Sequence, residues 1–299
     1  MNWLWRSAAD PWGRDVLIGV SWDLMWLAVC LAVLFVVGHT VWYRSRVSGG
    51  HEEEAPVAAP PGIPERIERH SLAARLFHWT MAASMLTLLL TAFVPIMGFD
   101  FPAWLTIHWV AGLVLIATIV YHIIHSIGWQ DFWSMSPRPR DIGEGVAQLK
   151  HLMSSSAPEP EKAGKYPFDH RLYHHTIVVA SLAAIITGVM MMIRIDTPLF
   201  AGGNPYYLSE ATVGLVFVIH GFAGVSFILL VAAHIYFALR PEKHWLTWSM
   251  IRGWIGRDEY VAHFDPDKWV VTGESGGASS DTGGGALADS TVSAPREDG

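Results

Sequence analysis

The run Thr212–Arg240, TVGLVFVIHGFAGVSFILLVAAHIYFALR, carries no charged side chain before its last residue. At ~1.5 Å per residue it is long enough, as a helix, to cross a bilayer. Two histidines interrupt it, His220 and His234. Their spacing puts both rings within roughly 40° of one helix face and ~21 Å apart along the axis, one near each membrane surface. An uncommitted imidazole in hydrocarbon is unfavourable, so the pair predicts two buried ligand positions whose partners come from the rest of the chain.

Composition agrees with further spans. Of 299 residues 52% are hydrophobic and 16% charged, the balance of a polytopic membrane protein. The net charge of -7, much of it in linkers and tail, argues against a nucleic-acid partner. The single cysteine, Cys30, rules out an internal disulfide, an iron-sulfur cluster held by this chain's cysteines alone, and covalent haem attachment through C-x-x-C-H. Any haem is therefore held non-covalently. The opening MNWLWRSAADPWGRD does not read as a cleavable signal, because the apolar segment after it is too long and ends in no small-residue site.

Taken in order, the chain predicts an all-α integral membrane protein of five spans, a four-helix transmembrane bundle plus one extra N-terminal helix. Residues 1–47 hold the first span, from Val16 to Tyr43, and 48–65, rich in Pro, Gly and acid, read as a flexible linker. Residues 66–271 form the main domain, with spans at about 76–97, 103–125, 172–193 and 212–239. Between the third and fourth spans, Ile142, Val146, Leu149 and Met153 recur at helical spacing and predict a short amphipathic surface helix. The Gly/Ser/Asp-rich stretch 272–299 reads as a disordered tail. Lys and Arg number 17 in the loops on one side of these spans and 3 on the other, which places the C-terminus in the cytoplasm and the N-terminus outside.

Depth then matches the histidines in pairs. His78 opens the second span at its inner end and faces the level of His234; His108 opens the third at its outer end and faces the level of His220. Neutral imidazole is a standard axial ligand of haem iron, so two bis-histidine haem sites at two depths are expected. His108-Trp-Val-Ala-Gly112 and His220-Gly-Phe-Ala-Gly224 share the pattern H-x-x-A-G. Small residues one turn from each ring let a flat macrocycle approach the backbone, though helix packing also uses such glycines.

The succession LFHW, IHWVAG, GKY before a span, IHGFAG and AHIYFAL, over about residues 64–270, resembles the gamma subunit of membrane-bound formate dehydrogenase, a dihaem cytochrome b of quinone-linked molybdenum enzymes. The cytochromes b of nickel-iron hydrogenases and of thiosulfate-reductase-type complexes share much of it. The resemblance implies two haem b, with His78 and His234 on the inner iron and His108 and His220 on the outer. It implies as partners an iron-sulfur electron-transfer subunit and a molybdopterin catalytic subunit, with the chain passing electrons between the former, outside the membrane, and the quinone pool. Quinone is then expected near His234 and the segment Gly164, Lys165, Tyr166, Asp169 and His170. Here GKY continues with Pro, Phe, Asp and His where the family has Asn, Ala, Gly and Gln.

Arg75 and Arg171, at the inner rim, are candidates for haem propionates or for ordinary snorkelling. His122 and His125 are expected as interface residues or propionate partners rather than a metal pair, and His174 and His175 as solvated interface residues, one of which could face quinone. His39 is read as structural. Electron flow in either direction fits, and a haem-free membrane scaffold or transporter is the reading from a different class.

Overall fold

The computed structural model describes residues 3–47, 62–129, 135–136, 139–153, 158 and 161–271. The expected linker, apart from 62–65, and the expected tail lie outside the described residues. Five helices are long and apolar enough to cross a membrane. They are α1 (Trp22–Val47), α2 (Leu72–Phe93), α3 (Trp104–Trp129), α5 (Phe168–Met192) and α6 (Glu210–Ala238), with a shorter α4 (Pro139–Met153) at the amphipathic stretch. Large side chains such as Leu90 (73% exposed), Val179 (68%) and Leu34 (65%) stand on the outer faces, where lipid rather than water is the compatible solvent.

Helix starts are set by caps that hydropathy does not register. The Ser71 hydroxyl accepts the Ala74 N–H at 3.2 Å, and the Ser209 hydroxyl accepts that of Thr212 at 3.2 Å. As a result α2 and α6 begin before the expected positions 76 and 212. Polar residues such as Arg75 thereby sit in the first turn of a helix.

The first span is a helix as expected but starts later than Val16. Val16–Val20 does not belong to a helix but to a strand, β2 (Asp15–Val20), which pairs antiparallel with β1 (Trp5–Ala9). Asp10 builds the turn between them. Its carboxylate accepts the backbone N–H of Trp12 at 2.9 Å and of Arg14 at 2.8 Å, and pairs with the Arg14 guanidinium at 2.7 Å. The hairpin and α1 dock on α6 and α2 through Val20, Met25, Ala28 and Ile228, with Leu89, Phe93 and Val225 packed around them. Gly214 and Gly221 make this approach possible. A Cβ at Gly221 would meet Val20 Cγ2 at 2.6 Å, and one at Gly214 would overlap the Leu17 carbonyl.

At the other end of the bundle a small cap closes over the start of α2, the end of α6 and the segment before α5. The strand β3 (Arg66–Glu68) pairs with β4 (Trp254–Gly256), flanked by α7 (His244–Arg252) and α8 (Arg257–His263). Its core is Ile67, Ile255, Tyr260, Val261, Phe264 and Trp269. Gly253, at φ 94°, ends α7 in a left-handed conformation that a side chain disfavours. Its carbonyl accepts the N–H of both Arg69 and His70, at 2.8 and 2.9 Å. The linked residues 66–70 and 253–256 thus fix where α2 enters the bundle.

Candidate functional site

Two histidine pairs face each other inside the bundle. His108 of α3 and His220 of α6 have ring centres 6.3 Å apart, and His78 of α2 and His234 of α6 have centres 6.2 Å apart. Two imidazoles bound to opposite sides of one metal, at about 2.0 Å per bond and about 1.1 Å from nitrogen to ring centre, have centres about 6.2 Å apart. The separation in each pair fits a metal held between the rings and is too long for a hydrogen bond between the two. Among the described residues no group of three or more His, Cys, Asp or Glu could hold a metal ion, so these pairs suit a metal whose remaining ligands come with it, as in a porphyrin.

Space beside the outer pair agrees. Gly224 lies one turn below His220 on the same face, and a Cβ there would meet nothing within 4 Å. At Gly112 the nearest atom to such a Cβ is Leu88 Cδ2 at 4.0 Å. The H-x-x-A-G glycines Gly112 and Gly224 therefore leave space beside the rings, whereas Gly214 and Gly221 are filled by the close approach of β2.

The surroundings of the pairs differ. His108 Nδ1 lies 2.8 Å from the Thr91 hydroxyl of α2, and His220 Nδ1 lies 3.0 Å from the Thr187 hydroxyl of α5. In the inner pair the Tyr173 ring stacks on His234 at 5.4 Å, and His78 Nδ1 is buried without a hydrogen-bond partner. Between the two levels Met85, Leu115, Ala180 and Phe227 form an apolar layer, with Phe227 midway in sequence between His220 and His234. Each pair thus has its own environment.

Other candidates fall into place around the inner pair. Arg75 donates from Nη1 to the Ile251 carbonyl at 2.7 Å and Trp79 donates to that of Met250 at 3.3 Å, capping carbonyls at the end of α7. The Arg75 Nε is buried without a partner, while Arg171 donates from Nε to the Tyr166 carbonyl at 3.1 Å. Gly164 packs on Lys268, and the Lys165 ammonium lies 5.7 Å from the Tyr166 ring and 5.8 Å from that of Trp269, so this segment belongs to the cap. Asp169 is exposed and His170 partly buried in the first turn of α5.

The remaining histidines find separate neighbours. His122 stacks on Phe77 at 4.1 Å, whereas His125 stacks with Tyr121 and Trp129. The His175 Nδ1 lies 2.8 Å from the Arg171 carbonyl, and that of His174 is buried without a partner. His39 acts between helices: its Nδ1 is 2.9 Å from the Tyr236 hydroxyl, which lies 3.1 Å from that of Thr40. The added helix α1 therefore grips α6 two residues from His234.

The sequence gives little sign of the places that Thr91, Thr187 and Arg69 take in the fold. A threonine in an apolar helix is a faint signal, since most bond their own backbone. Arg69 is 5% exposed, with its guanidinium 5.0 Å from the Phe264 ring and 5.8 Å from that of Trp269, and its Nε and Nη1 have no partner. Burial holds its pKa down to about 10. In the sequence it reads as one charge in RIERHS, and only the distant cap encloses it.

The neighbouring His70 imparts a pH dependence to the cap. Burial, and secondarily the Arg69 charge, push its imidazole down to about 3. Above pH ~6.5 the closed and open cap are both neutral here, so nothing is gained or lost. As pH falls from ~6.5 towards 3, the open form binds a proton that the closed form refuses, and closure weakens by up to about 1.4 kcal/mol per pH unit. The protection of amides in residues 254–264, taken against intrinsic exchange at each pH, is expected to fall from pH 7 to pH 5, and His70→Asn to remove most of that difference.

Two comparisons bear on this arrangement. The family model described as prokaryotic cytochrome b561 matches residues 69–253, well over half of the chain, a stretch that contains all four paired histidines and omits the hairpin and α1. No curated protein matches the chain.

Proposed function

The chain belongs to the prokaryotic cytochrome b561 family, and on that premise we propose that it holds two b-type haems, one between His108 and His220 and one between His78 and His234. It is a multi-pass membrane cytochrome b that serves electron transfer with redox partners. The observation that carries the two-haem reading is the pair of ring separations, 6.3 and 6.2 Å, at two levels of one bundle. Bound there, each haem supplies a one-electron carrier.

The likeness to the formate dehydrogenase gamma subunit supports an iron-sulfur subunit as the outer partner, with a molybdopterin subunit behind it. The excess of Lys and Arg on the side of the His78–His234 pair supports that side as cytoplasmic. We assign quinone to that end, beside His234, where Tyr173 stacks and where Lys165, Tyr166 and His170 enter α5. Asp169, exposed at the same rim, is placed to pass protons from water. The partnerless donors on Arg69 and Arg75 suit the propionates of the inner haem better than Arg171, whose Nε is committed to a backbone carbonyl. The apolar layer around Phe227 keeps water from joining the two levels. An electron carried inward works against a potential negative inside, by ~2.3 kcal/mol per 100 mV for a full crossing.

The test is a reduced-minus-oxidised spectrum of the purified protein with haem counted against chain. Two b-type haems per chain are expected. None, or a covalently bound one, would sink the proposal, and none would favour a haem-free scaffold.

A further inference from the structure

Thr91 and Thr187 are the only hydroxyls given to an Nδ1 of the two pairs among the described residues, and both serve the outer pair. Each has one proton to give. Thr91 Oγ1 lies 2.7 Å from the Thr87 carbonyl and Thr187 Oγ1 2.5 Å from the Ala183 carbonyl, both one turn back on their own helices. Oxygens this close need the hydroxyl proton between them, since a carbonyl has none to offer. The hydroxyl oxygen is then left to accept, and the only proton within reach is the one on Nδ1, for which the Ala184 carbonyl of α5 is a second acceptor at His220. His108 and His220 are therefore both held as the Nδ1–H tautomer, with the lone pair on Nε2.

The two bonds come from different helices, α2 and α5, and reach rings on α3 and α6. All four helices of the bundle thus share in orienting one pair. The inner pair lacks this support at His78, whose buried Nδ1 has no partner. Hydrogen bonding to the far nitrogen of a ligating imidazole raises its basicity and strengthens its hold on the more oxidised metal.

We propose that Thr91 and Thr187 are positioning residues of the outer haem: Thr91 fixes the tautomer of His108, Thr187 together with the Ala184 carbonyl fixes that of His220, and the two hydroxyls lower the reduction potential of that haem relative to the same site without them. The proposal rests on the two-haem reading. It supplies a reason for the outer haem to be the weaker electron acceptor of the two, which favours onward transfer to the inner one.

The experiment is a spectroscopic redox titration of the full-length protein in detergent, with haem content and low-spin ferric signals recorded alongside. The variants are Thr91→Val, Thr187→Val and the corresponding serines. Valine keeps the shape and removes the acceptor; serine keeps the acceptor. Each valine variant is expected to raise the potential of one haem only. A tenfold loss of preference for the oxidised form corresponds to about 59 mV. The serine variants return the potential to the wild-type value. Loss of one haem in the valine variants, restored by serine, supports the proposal equally. Valine variants with both potentials and the ferric signals unchanged overturn it, as does an equal effect of valine and serine. A wild-type protein without two b-type haems overturns the underlying reading, and the wild-type spectrum tells that failure apart from the others.

Discussion

Replacing His234 with alanine is expected to halve the haem content of the purified protein and to lower electron transfer to quinone by more than about 100-fold, beyond what loss of a ligand's neighbour costs. The remaining haem should keep its spectrum and potential. His234 shares α6 with His220, yet the two rings sit in pairs that draw on different partners, His78 and His108. Met85, Leu115, Ala180 and Phe227 pack between the levels, so removing the lower ring leaves the upper site's walls in place. Haem content and difference spectra check this. Loss of both haems from a protein that remains helical and monodisperse would argue against independent sites.

Substitution of two α6 glycines by valine is expected to separate packing from cofactor binding. At Gly214 the new Cβ overlaps the Leu17 backbone, which cannot rotate away, so β2 must lift from α6. Overpacking of this kind costs about 1–3 kcal/mol. A shift of one to two kcal/mol opens the hairpin about 5–30-fold more often, read as faster proteolysis within residues 5–20 while haem content holds. At Gly224 the Cβ meets no protein atom within 4 Å, and the fold should not notice it. If a macrocycle fills the space below His220, Gly224→Val removes the outer haem; full haem content in that variant would place the cofactor elsewhere.

Much of this architecture was legible in the residues. The spans follow from long uncharged apolar runs, and the pairing of His78 with His234 and His108 with His220 follows from the position of each ring along its span, because helical rise converts sequence distance into depth. The hairpin was not legible. DVLIGV runs on into the apolar residues of α1, and a short apolar run does not distinguish strand from helix; only the Asp10 turn and the glycine floor on α6 decide it. Arg75 shows the same limit. Its position at the inner rim left a haem propionate and ordinary snorkelling both open, and the fold gives one of its nitrogens the end of α7.

The sequence alone therefore determined which five segments are long and apolar enough to cross a membrane and which histidines share a level along them. Those properties depend on hydrophobicity and helical rise, both local to the chain. The tertiary structure decided that Nδ1 of His108 and of His220 lies against a threonine hydroxyl of another helix, that Arg69 is buried among aromatic rings, and that His39 ties α1 to α6 beside His234. Each of these rests on a contact between residues far apart in sequence, and a hydrogen bond a few ångströms long is set by how helices lean and rotate against one another, which no single helix encodes.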